Sequence, residues 1–297
     1  MADELRIDSR PALEQPVLIA AFRGWNDGGQ GASLAGAYLA RAWAGVEFAS
    51  IDPEGFYDFQ ATRPTVSLVD GYTRQIEWPE NSFLHAPLPG AGRDAIIMLG
   101  VEPNLRWRTF GELVTGLAQD FGVELVVTLG SLLADVPHTR PAPVTGSATD
   151  PELIEQLGLQ ASRYEGPTGM VGVLHDACSR AGLKSASLWA AVPHYVSLTP
   201  SPRAAKALVD RLADLLGADV DTAELTEAAE SYAQQVSEAV ATDEETAAYV
   251  QELERRVDEL AQEGELPSGD AIAAELTRYL REQDRRRNDG DDVAREQ

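Results

Sequence analysis

The segment Asp135–Arg140 places four chemically different polar side chains within six residues. They are the carboxylate of Asp135, the imidazole of His138, the hydroxyl of Thr139 and the guanidinium of Arg140. An imidazole can pass a proton near neutral pH, and an arginine can hold an anion. The segment therefore predicts acid–base catalysis by Asp135 or His138, or binding of an anionic ligand. The alternative is a stiff connection between prolines whose polar groups satisfy its own backbone.

A glycine-rich segment, Gly24–Gly31, follows an apolar run and precedes a helical pattern. Backbone N–H groups at such a helix start can hold an anion, which makes Asn26, Asp27, Gly28 and Gly29 candidate ligand-binding residues. The glycine spacing fits neither the dinucleotide-binding fingerprint nor a P-loop. The favoured interpretation is a tight turn in which Asn26 or Asp27 caps the helix. An Asp27 carboxylate there would compete with a bound phosphate.

Few other residues offer chemistry. His194 follows an apolar run that ends at Pro193, and the loop Tyr164–Met170 leads into a helical pattern. Cys178 lies on the apolar stripe of that helix, which indicates a core residue rather than a catalytic thiol. The four histidines lack the i, i+4 spacing of a helical metal pair, so neither a metal site nor a cofactor is expected.

Short apolar runs that alternate with helical periodicity predict the sheet that positions these residues. Five buried strands are expected at Val17–Phe22, Val46–Ile51, Ala95–Val101, Leu125–Leu129 and Ala186–Val192, with weaker edge strands at Thr65–Val69 and Ser82–Leu88. The pattern is typical of an α/β domain whose sheet is covered by helices. Ligands bind at the carboxyl ends of such strands, so Gly24–Gly31 and Asp135–Arg140 should face each other there.

Helix boundaries follow from capping residues. Asn104 is predicted to cap a helix that ends at Gly122, and Ser201 to cap one with proline at its first position. That second helix ends at Gly217, which closes the predicted α/β domain of residues 1–217.

An acidic helical appendage is predicted over residues 218–284. Positions 219–265 hold fifteen acidic residues against two arginines, a net charge of −13. Thr242–Glu245 resembles a capping box between two amphipathic helices, which we expect to form a hairpin. A third helix is expected around Ile272–Leu280, and residues 285–297 are expected to be a disordered tail. The appendage should be separable from the core.

The charge, the length of the apolar runs and the cysteine count exclude some classes of function. The 297 residues carry a net charge of −24 and only two lysines, which disfavours sequence-independent nucleic-acid binding. The apolar runs fall far short of the ~18 residues of a membrane span. With one cysteine, no internal disulfide can form. A cytoplasmic protein that binds neither nucleic acid nor membrane is expected.

Four segments in the right order resemble prokaryotic proteins of the PAC2 family, relatives of proteasome assembly chaperone 2. The segments are Gly24–Gly29, Gly130–Pro141, Gly166–Leu174 and Ala191–Ser197 with Pro200–Pro202. The resemblance covers about residues 15 to 216, and the appendage is also similar. It implies a three-layer core similar to nucleoside phosphorylases and related hydrolases, and a homo-oligomeric ring, trimers among them.

The resemblance leaves two functions from different classes. Eukaryotic relatives are chaperones of proteasome assembly, so an interaction protein would use a ring and its acidic helices to bind basic surfaces such as proteasome subunits. Some relatives dock through a C-terminal hydrophobic-Tyr-X tail, whereas this sequence ends Arg295-Glu296-Gln297. An enzyme would instead hold an anionic substrate with Gly28, Gly29 and Arg140. The interaction protein is the favoured hypothesis, because the sequence shows no recognisable nucleophile or cofactor-binding motif that an enzyme of this fold would need.

Overall fold

The computed structural model describes residues 4–148, 150–161 and 164–263. Eleven strands lie within these residues: β1 (Leu5–Ile7), β2 (Val17–Arg23), β3 (Val46–Ile51), β4 (Thr65–Val69), β5 (Thr73–Glu77), β6 (Asn81–Leu88), β7 (Arg93–Val101), β8 (Leu125–Ala134), β9 (Val144–Ala148), β10 (Gln160–Ala161) and β11 (Lys184–Pro193). Seven α-helices accompany them: α1 (Gly31–Ala42), α2 (Trp107–Asp120), α3 (Pro151–Leu157), α4 (Met170–Ala181), α5 (Pro202–Leu216), α6 (Ala223–Val240) and α7 (Glu244–Glu263). The expected third appendage helix and the tail lie outside the described residues.

Nine of these strands form one mixed sheet in the order β1-β3-β6-β7-β2-β8-β11-β9-β10. Its centre is parallel, because β2 pairs with both β7 and β8, and β8 pairs with β11. All five predicted buried strands are present, and the predicted α/β class is confirmed. The carboxyl ends of β7, β2, β8 and β11 therefore meet at one edge of the sheet.

Helices cover both faces of this sheet, which gives three layers. Alternate residues of β2 point to opposite faces: Val17 and Ile19 pack in one apolar cluster, Leu18 and Ala20 in another. Residues of α1 and α5 complete the first cluster, and residues of α2 and α4 complete the second. Cys178 is buried in the second cluster, as predicted for a core residue, and burial raises the pKa of its thiol to about 12.

Both predicted edge strands lie elsewhere than expected. Ser82–Leu88 belongs to β6, which is inside the sheet between β3 and β7. Its partial alternation is typical of an edge, but β3 and β1 extend the sheet beyond it. Thr65–Val69 pairs only with β5, in a separate two-stranded hairpin that we call the arm. One face of the arm carries Val66, Leu68 and Ile76, each more than half exposed.

Among the caps predicted outside the glycine-rich turn, two are wrong and one is confirmed. Ser201 caps α5 by accepting a hydrogen bond from the Ala204 N–H at 3.4 Å. Asn104 does not cap α2, which begins at Trp107, because its side-chain oxygen accepts from the Asp58 N–H at 3.0 Å. At the start of α7, Asp243 replaces Thr242 as the capping acceptor, since the Thr242 hydroxyl donates to the Ala239 carbonyl at 2.7 Å.

The helix α6 packs along α5 and joins the core. Its residue Leu225 is buried in the first apolar cluster. The preceding turn is fixed by the Tyr38 hydroxyl, which donates to the Asp221 carbonyl at 2.7 Å, and by the Trp43 indole, which donates to the Asp219 carbonyl at 3.0 Å. Among the described helices, none combines the length and the hydropathy of a membrane-spanning segment.

Candidate functional site

The candidate site is built on strand β8, which is longer than the sequence predicts. The segment Gly130–Ala134 is not a loop, because β8 continues through it to Ala134 beside β11. β2 pairs with β8 only as far as Leu129, so β8 and β11 project beyond it. The loops that follow these two strands are therefore adjacent. The His194 N–H donates to the Ala134 carbonyl at 3.2 Å, and Nδ1 of His194 lies 3.2 Å from Oδ1 of Asp135.

Asp27 is used as the cap of α1. Its Oδ1 accepts hydrogen bonds from the Ala32 N–H at 2.9 Å and the Ser33 N–H at 3.1 Å, and its Oδ2 accepts from the Ser33 hydroxyl at 2.6 Å. Burial raises the pKa of Asp27, and these hydrogen bonds oppose the rise. The carboxylate thus occupies the helix start that an anionic ligand would need.

Glycines let the Gly24–Gly31 turn pack directly against the core. A Cβ on Gly28 would lie 3.0 Å from Cα of Leu132, and a Cβ on Gly29 would lie 2.9 Å from a methyl carbon of Val192. Gly29 also has a φ of 58°, which favours glycine. The close approach is fixed by the Ser131 N–H, which donates to the Asn26 carbonyl at 2.9 Å.

Glu102, which the sequence analysis missed, ties this turn to α4. One of its carboxylate oxygens accepts from the Trp25 N–H at 3.0 Å, and the other accepts from the Met170 N–H at 2.6 Å. Gly169 lies close to both Glu102 and the side chain of Asn26. A carboxylate directly after the strand β7 was the available signal, since its position is equivalent to that of Asp135 after β8.

His138 is buried beneath α6. Its Nδ1 and its backbone N–H both lie 2.8 Å from the Tyr195 hydroxyl, and its Nε2 lies 2.9 Å from the Ser237 hydroxyl oxygen. Ser237 donates its own proton to the Ala233 carbonyl, so this pattern assigns the imidazole proton to Nε2. Burial lowers the pKa of His138, and nearby Arg203 lowers it further. The ring is therefore held neutral by internal partners.

Thr139 and Arg140 lie under α7. The Arg140 guanidinium donates two hydrogen bonds to the Asp258 carboxylate, at 2.9 Å from Nε and 2.7 Å from Nη2. The Thr139 hydroxyl donates to Glu254. The Arg140 carbonyl accepts from Arg203 at 2.5 Å, which fixes the backbone of this loop. Arg140 and Thr139 were predicted to bind an anion. In the structure they donate hydrogen bonds to two carboxylates of α7.

The two predicted segments share the carboxyl edge of the sheet, as expected. They are joined through β8, because the Ser131 hydroxyl of this strand donates to Asp27 Oδ1 at 3.3 Å. Asp27, His138, Thr139 and Arg140 each have partners within the chain. Among residues 4–148, 150–161 and 164–263, no group of three His, Cys, Asp or Glu side chains is arranged to hold a metal ion. The chemistry this arrangement supports is recognition of carboxylates by Arg140 and Thr139.

The fold and the carboxyl edge of the sheet place this chain in a class of three-layer α/β proteins. In these proteins the loops at the strand ends pack closely against each other. The chain belongs to the PAC2 family, whose model matches residues 21–240. No curated protein matches the chain significantly.

Solved structures agree with this assignment. A PAC2 family protein from Streptomyces avermitilis is 47% identical, with a TM-score of 0.74, over 79% of this chain and 99% of its own. A proteasome-assembly chaperone homologue from Mycobacterium tuberculosis is 47% identical, with a TM-score of 0.72, over 79% and 99%. A second M. tuberculosis protein, of unknown function, is 28% identical, with a TM-score of 0.81, over 94% and 95%.

Proposed function

We propose that this chain is a partner-binding protein that acts on proteasome subunits during or after their assembly. The observation that carries the proposal is the 47% identity to a proteasome-assembly chaperone homologue, over 99% of that structure. A likeness of this extent supports a shared class of partner. The proposal also includes a cytoplasmic location, where proteasome subunits are made.

The contacts of the candidate residues favour binding over catalysis. His138 has hydrogen-bonding partners at both ring nitrogens, and Arg140 is held by Asp258. Asp27 caps α1. A proton carrier must reach a bound molecule, and an anion-binding arginine needs an open face. The contacts of His138, Arg140 and Asp27 with groups of the chain itself therefore support the partner-binding proposal.

The acidic helices supply a surface for such a partner. Glu227 and Glu230 on α6, and Glu244 and Glu245 at the start of α7, are all exposed. A concentrated negative field speeds association with a basic surface and weakens as salt screens it. We therefore propose that α6 and α7 meet a basic face of the proteasome subunits.

The experiment compares two full-length variants with equal charge. In the first, Glu227, Glu230, Glu244 and Glu245 become glutamine. In the second, four exposed acids outside α6 and α7 become glutamine: Glu47, Glu80, Glu112 and Glu155. We expect the first set to slow association with proteasome subunits by at least about tenfold at low salt, and the second set to change it little.

Surface plasmon resonance at low salt and at 0.15 M, where the screening length is ~8 Å, measures this difference. Native mass spectrometry of the mixture reports whether a complex forms at all. Equal association rates for both variants would refute the role of the acidic helices. Absence of any complex with the wild-type chain would refute the proteasome proposal.

A further inference from the structure

The helix α7 rests on a small polar surface at the carboxyl edge, which we call the α7 seat. It consists of Thr139 and Arg140 from the loop after β8, and His194 and Tyr195 from the loop after β11. The Tyr249 ring of α7 packs edge-on against both His194 and Tyr195, with ring centroids 5.6 and 6.0 Å apart. Glu254 and Asp258 of α7 hydrogen-bond Thr139 and Arg140. The seat therefore combines an aromatic contact with a pair of donors, Thr139 and Arg140, that hold the two carboxylates and that we call the clamp.

We propose that the α7 seat is a binding site for an acidic amphipathic helix of a partner protein, and that α7 occupies it when the partner is absent. This inference rests on the proposed partner-binding function and names the chemistry of one partner element. The ligand class is given by the occupant, because α7 contacts the seat with an aromatic ring, that of Tyr249, and with two carboxylates, those of Glu254 and Asp258.

The geometry of the clamp fits a carboxylate. Two nitrogens of the Arg140 guanidinium meet the two oxygens of one carboxylate, an arrangement that fixes orientation as well as charge. Arg140 also lies 3.5 Å from Glu254. The loop beneath is rigid, since Arg203 holds the Arg140 carbonyl and Tyr195 holds the His138 N–H. A rigid loop remains ready to bind a second helix when α7 leaves.

The seat and its occupant differ in their relation to the family. The family model matches residues 21–240, which include every residue of the seat. The match ends four residues before α7 begins at Glu244. The matched region therefore contains the seat but not the helix that covers it, although the M. tuberculosis structure that aligns with 94% of this chain extends past Glu244.

The helix α7 is held to the seat by contacts that can exchange. The Arg140 and Asp258 side chains are 33% and 50% exposed, and ion pairs of that exposure contribute little to stability. Val250 and Leu253 are its buried apolar residues within the described part of the helix. Internal pairs support the helix itself: Glu252 contacts both Arg255 and Arg256, at 2.7 and 2.9 Å. A released α7 can therefore remain helical, and the seat can accept a helix from elsewhere.

A labelled peptide covering residues 243–263 tests the seat directly. In the wild-type chain, the tethered α7 competes at the high effective concentration set by its short link to α6. In the full-length Glu254→Gln, Asp258→Asn variant, which we call the release variant, the tethered α7 loses the two carboxylates that contact the seat. We expect the peptide to bind the variant at least about tenfold more tightly than the wild type, measured by fluorescence anisotropy. Backbone hydrogen exchange in α7 should rise in the same variant.

Three controls assign the binding. The Glu244→Gln, Glu245→Gln variant has the same change in charge on the same helix but does not touch the seat, and it should bind like the wild type. A peptide that carries Glu254→Gln and Asp258→Asn should bind the release variant several-fold more weakly than the unchanged peptide does. Adding Arg140→Gln or Thr139→Ala to the release variant should abolish or weaken peptide binding, with far-ultraviolet circular dichroism confirming that both variants are folded.

Several outcomes would overturn the proposal. They are equal peptide affinity for the wild type and the release variant, binding that ignores the Arg140 and Thr139 substitutions, and unchanged exchange of α7. Dimerisation of the release variant that excludes the peptide would assign the seat to a second copy of this chain. None of these measurements uses proteasome subunits, so failure here is distinguishable from failure of the proposed function.

Discussion

The His175 side chain of α4 lies against the sheet between two hydroxyl groups. Its Nε2 lies 3.0 Å from the Thr128 hydroxyl of β8, and its Nδ1 lies 2.8 Å from the Ser185 hydroxyl of β11. Burial between α4 and the sheet lowers its pKa to about 4. Both neighbours are neutral hydroxyls, so no carboxylate compensates for a charge on this ring.

This pKa predicts a loss of stability in mild acid. The unfolded chain takes up a proton on His175 near pH 6.5, whereas the folded chain resists until about pH 4. The stabilisation is therefore complete above pH 6.5 and is lost as the pH falls toward 4. Between pH 7 and pH 5 we expect the wild type to lose about 2 kcal/mol of its free energy of unfolding through His175. The His175→Gln variant should not show this loss.

Urea unfolding of both proteins at pH 7 and pH 5 measures this contribution. The wild type should lose more free energy of unfolding over that interval than the variant does. Parallel losses in the two proteins would show that His175 is not held neutral by the fold.

At the scale of elements, α6 and α7 differ in how they attach. The helix α6 buries Leu225 in a core cluster, and the Tyr232 hydroxyl of the same helix donates to the Leu198 carbonyl at 3.0 Å. The helix α7 contacts the seat and buries Val250 and Leu253 within its described part. The boundary predicted at Gly217 thus falls before a helix that covers core surface, and separability of the appendage stays a prediction.

Truncation separates these roles. We expect a chain that ends at Asp243 to melt cooperatively near the wild-type midpoint, because it loses only α7 and the residues after it. A chain that ends at Gly217 should melt earlier or aggregate, because it exposes the surface that Leu225 and Tyr232 bury. Thermal melting with light scattering compares both with a control that ends at Glu263. Equal midpoints for the two cuts would instead support the soluble core expected from the sequence.

The sequence predicted elements best where apolar side chains alone decide them. The five buried strands and the Ser201 cap follow from local patterns. The continuation of β8 through Gly130 and Ser131 does not, because glycine and serine are typical of turns and only the pairing with β11 keeps them extended. Capping by Asn104 also failed for a nonlocal reason, since its side chain is taken by Asp58 and Thr62 from a distant loop.

Within the site, residue types were predictable but partners were not. Asp27 as a cap could be predicted because the backbone N–H groups that donate to its carboxylate lie within six residues of it. The partners of His138, Thr139 and Arg140 lie between 57 and 118 residues away. No local pattern contains such distances, so the sequence left open whether these side chains face a ligand or the chain itself.

At the scale of the whole molecule, the arm exposes an apolar face to solvent within the part of the chain that the structure describes. Val66 pairs with Ile76 across the two strands, and Leu68 lies on the same face. A two-stranded hairpin is marginally stable alone in water, and an exposed apolar face marks an interaction site. The homo-oligomer that the family resemblance implies would bury this face between copies of the chain.

We expect a trimer in solution, as the family resemblance implies, with a mass about three times the 32.0 kDa of one chain. Replacing Val66, Leu68 and Ile76 with serine should shift the protein toward the monomer, because contact between copies would lose its apolar part. Multi-angle light scattering at micromolar concentration measures the masses. A matched variant changes Thr65, Thr73 and Gln75 on the opposite face to serine. A monomeric wild type, or equal effects of the two variants, would contradict this expectation.

The order of elements along the chain also determines when the α7 seat and the helix that covers it are synthesised. Its loops follow β8 and β11, and their support from Arg203 is complete once α5 ends at Leu216. Asp258 comes 42 positions later. At a synthesis rate of about 5–20 residues per second, that distance corresponds to about 2 to 8 s. Every newly made copy therefore passes through a period in which its own covering helix does not yet exist, and a partner present at the ribosome meets the seat before α7 can.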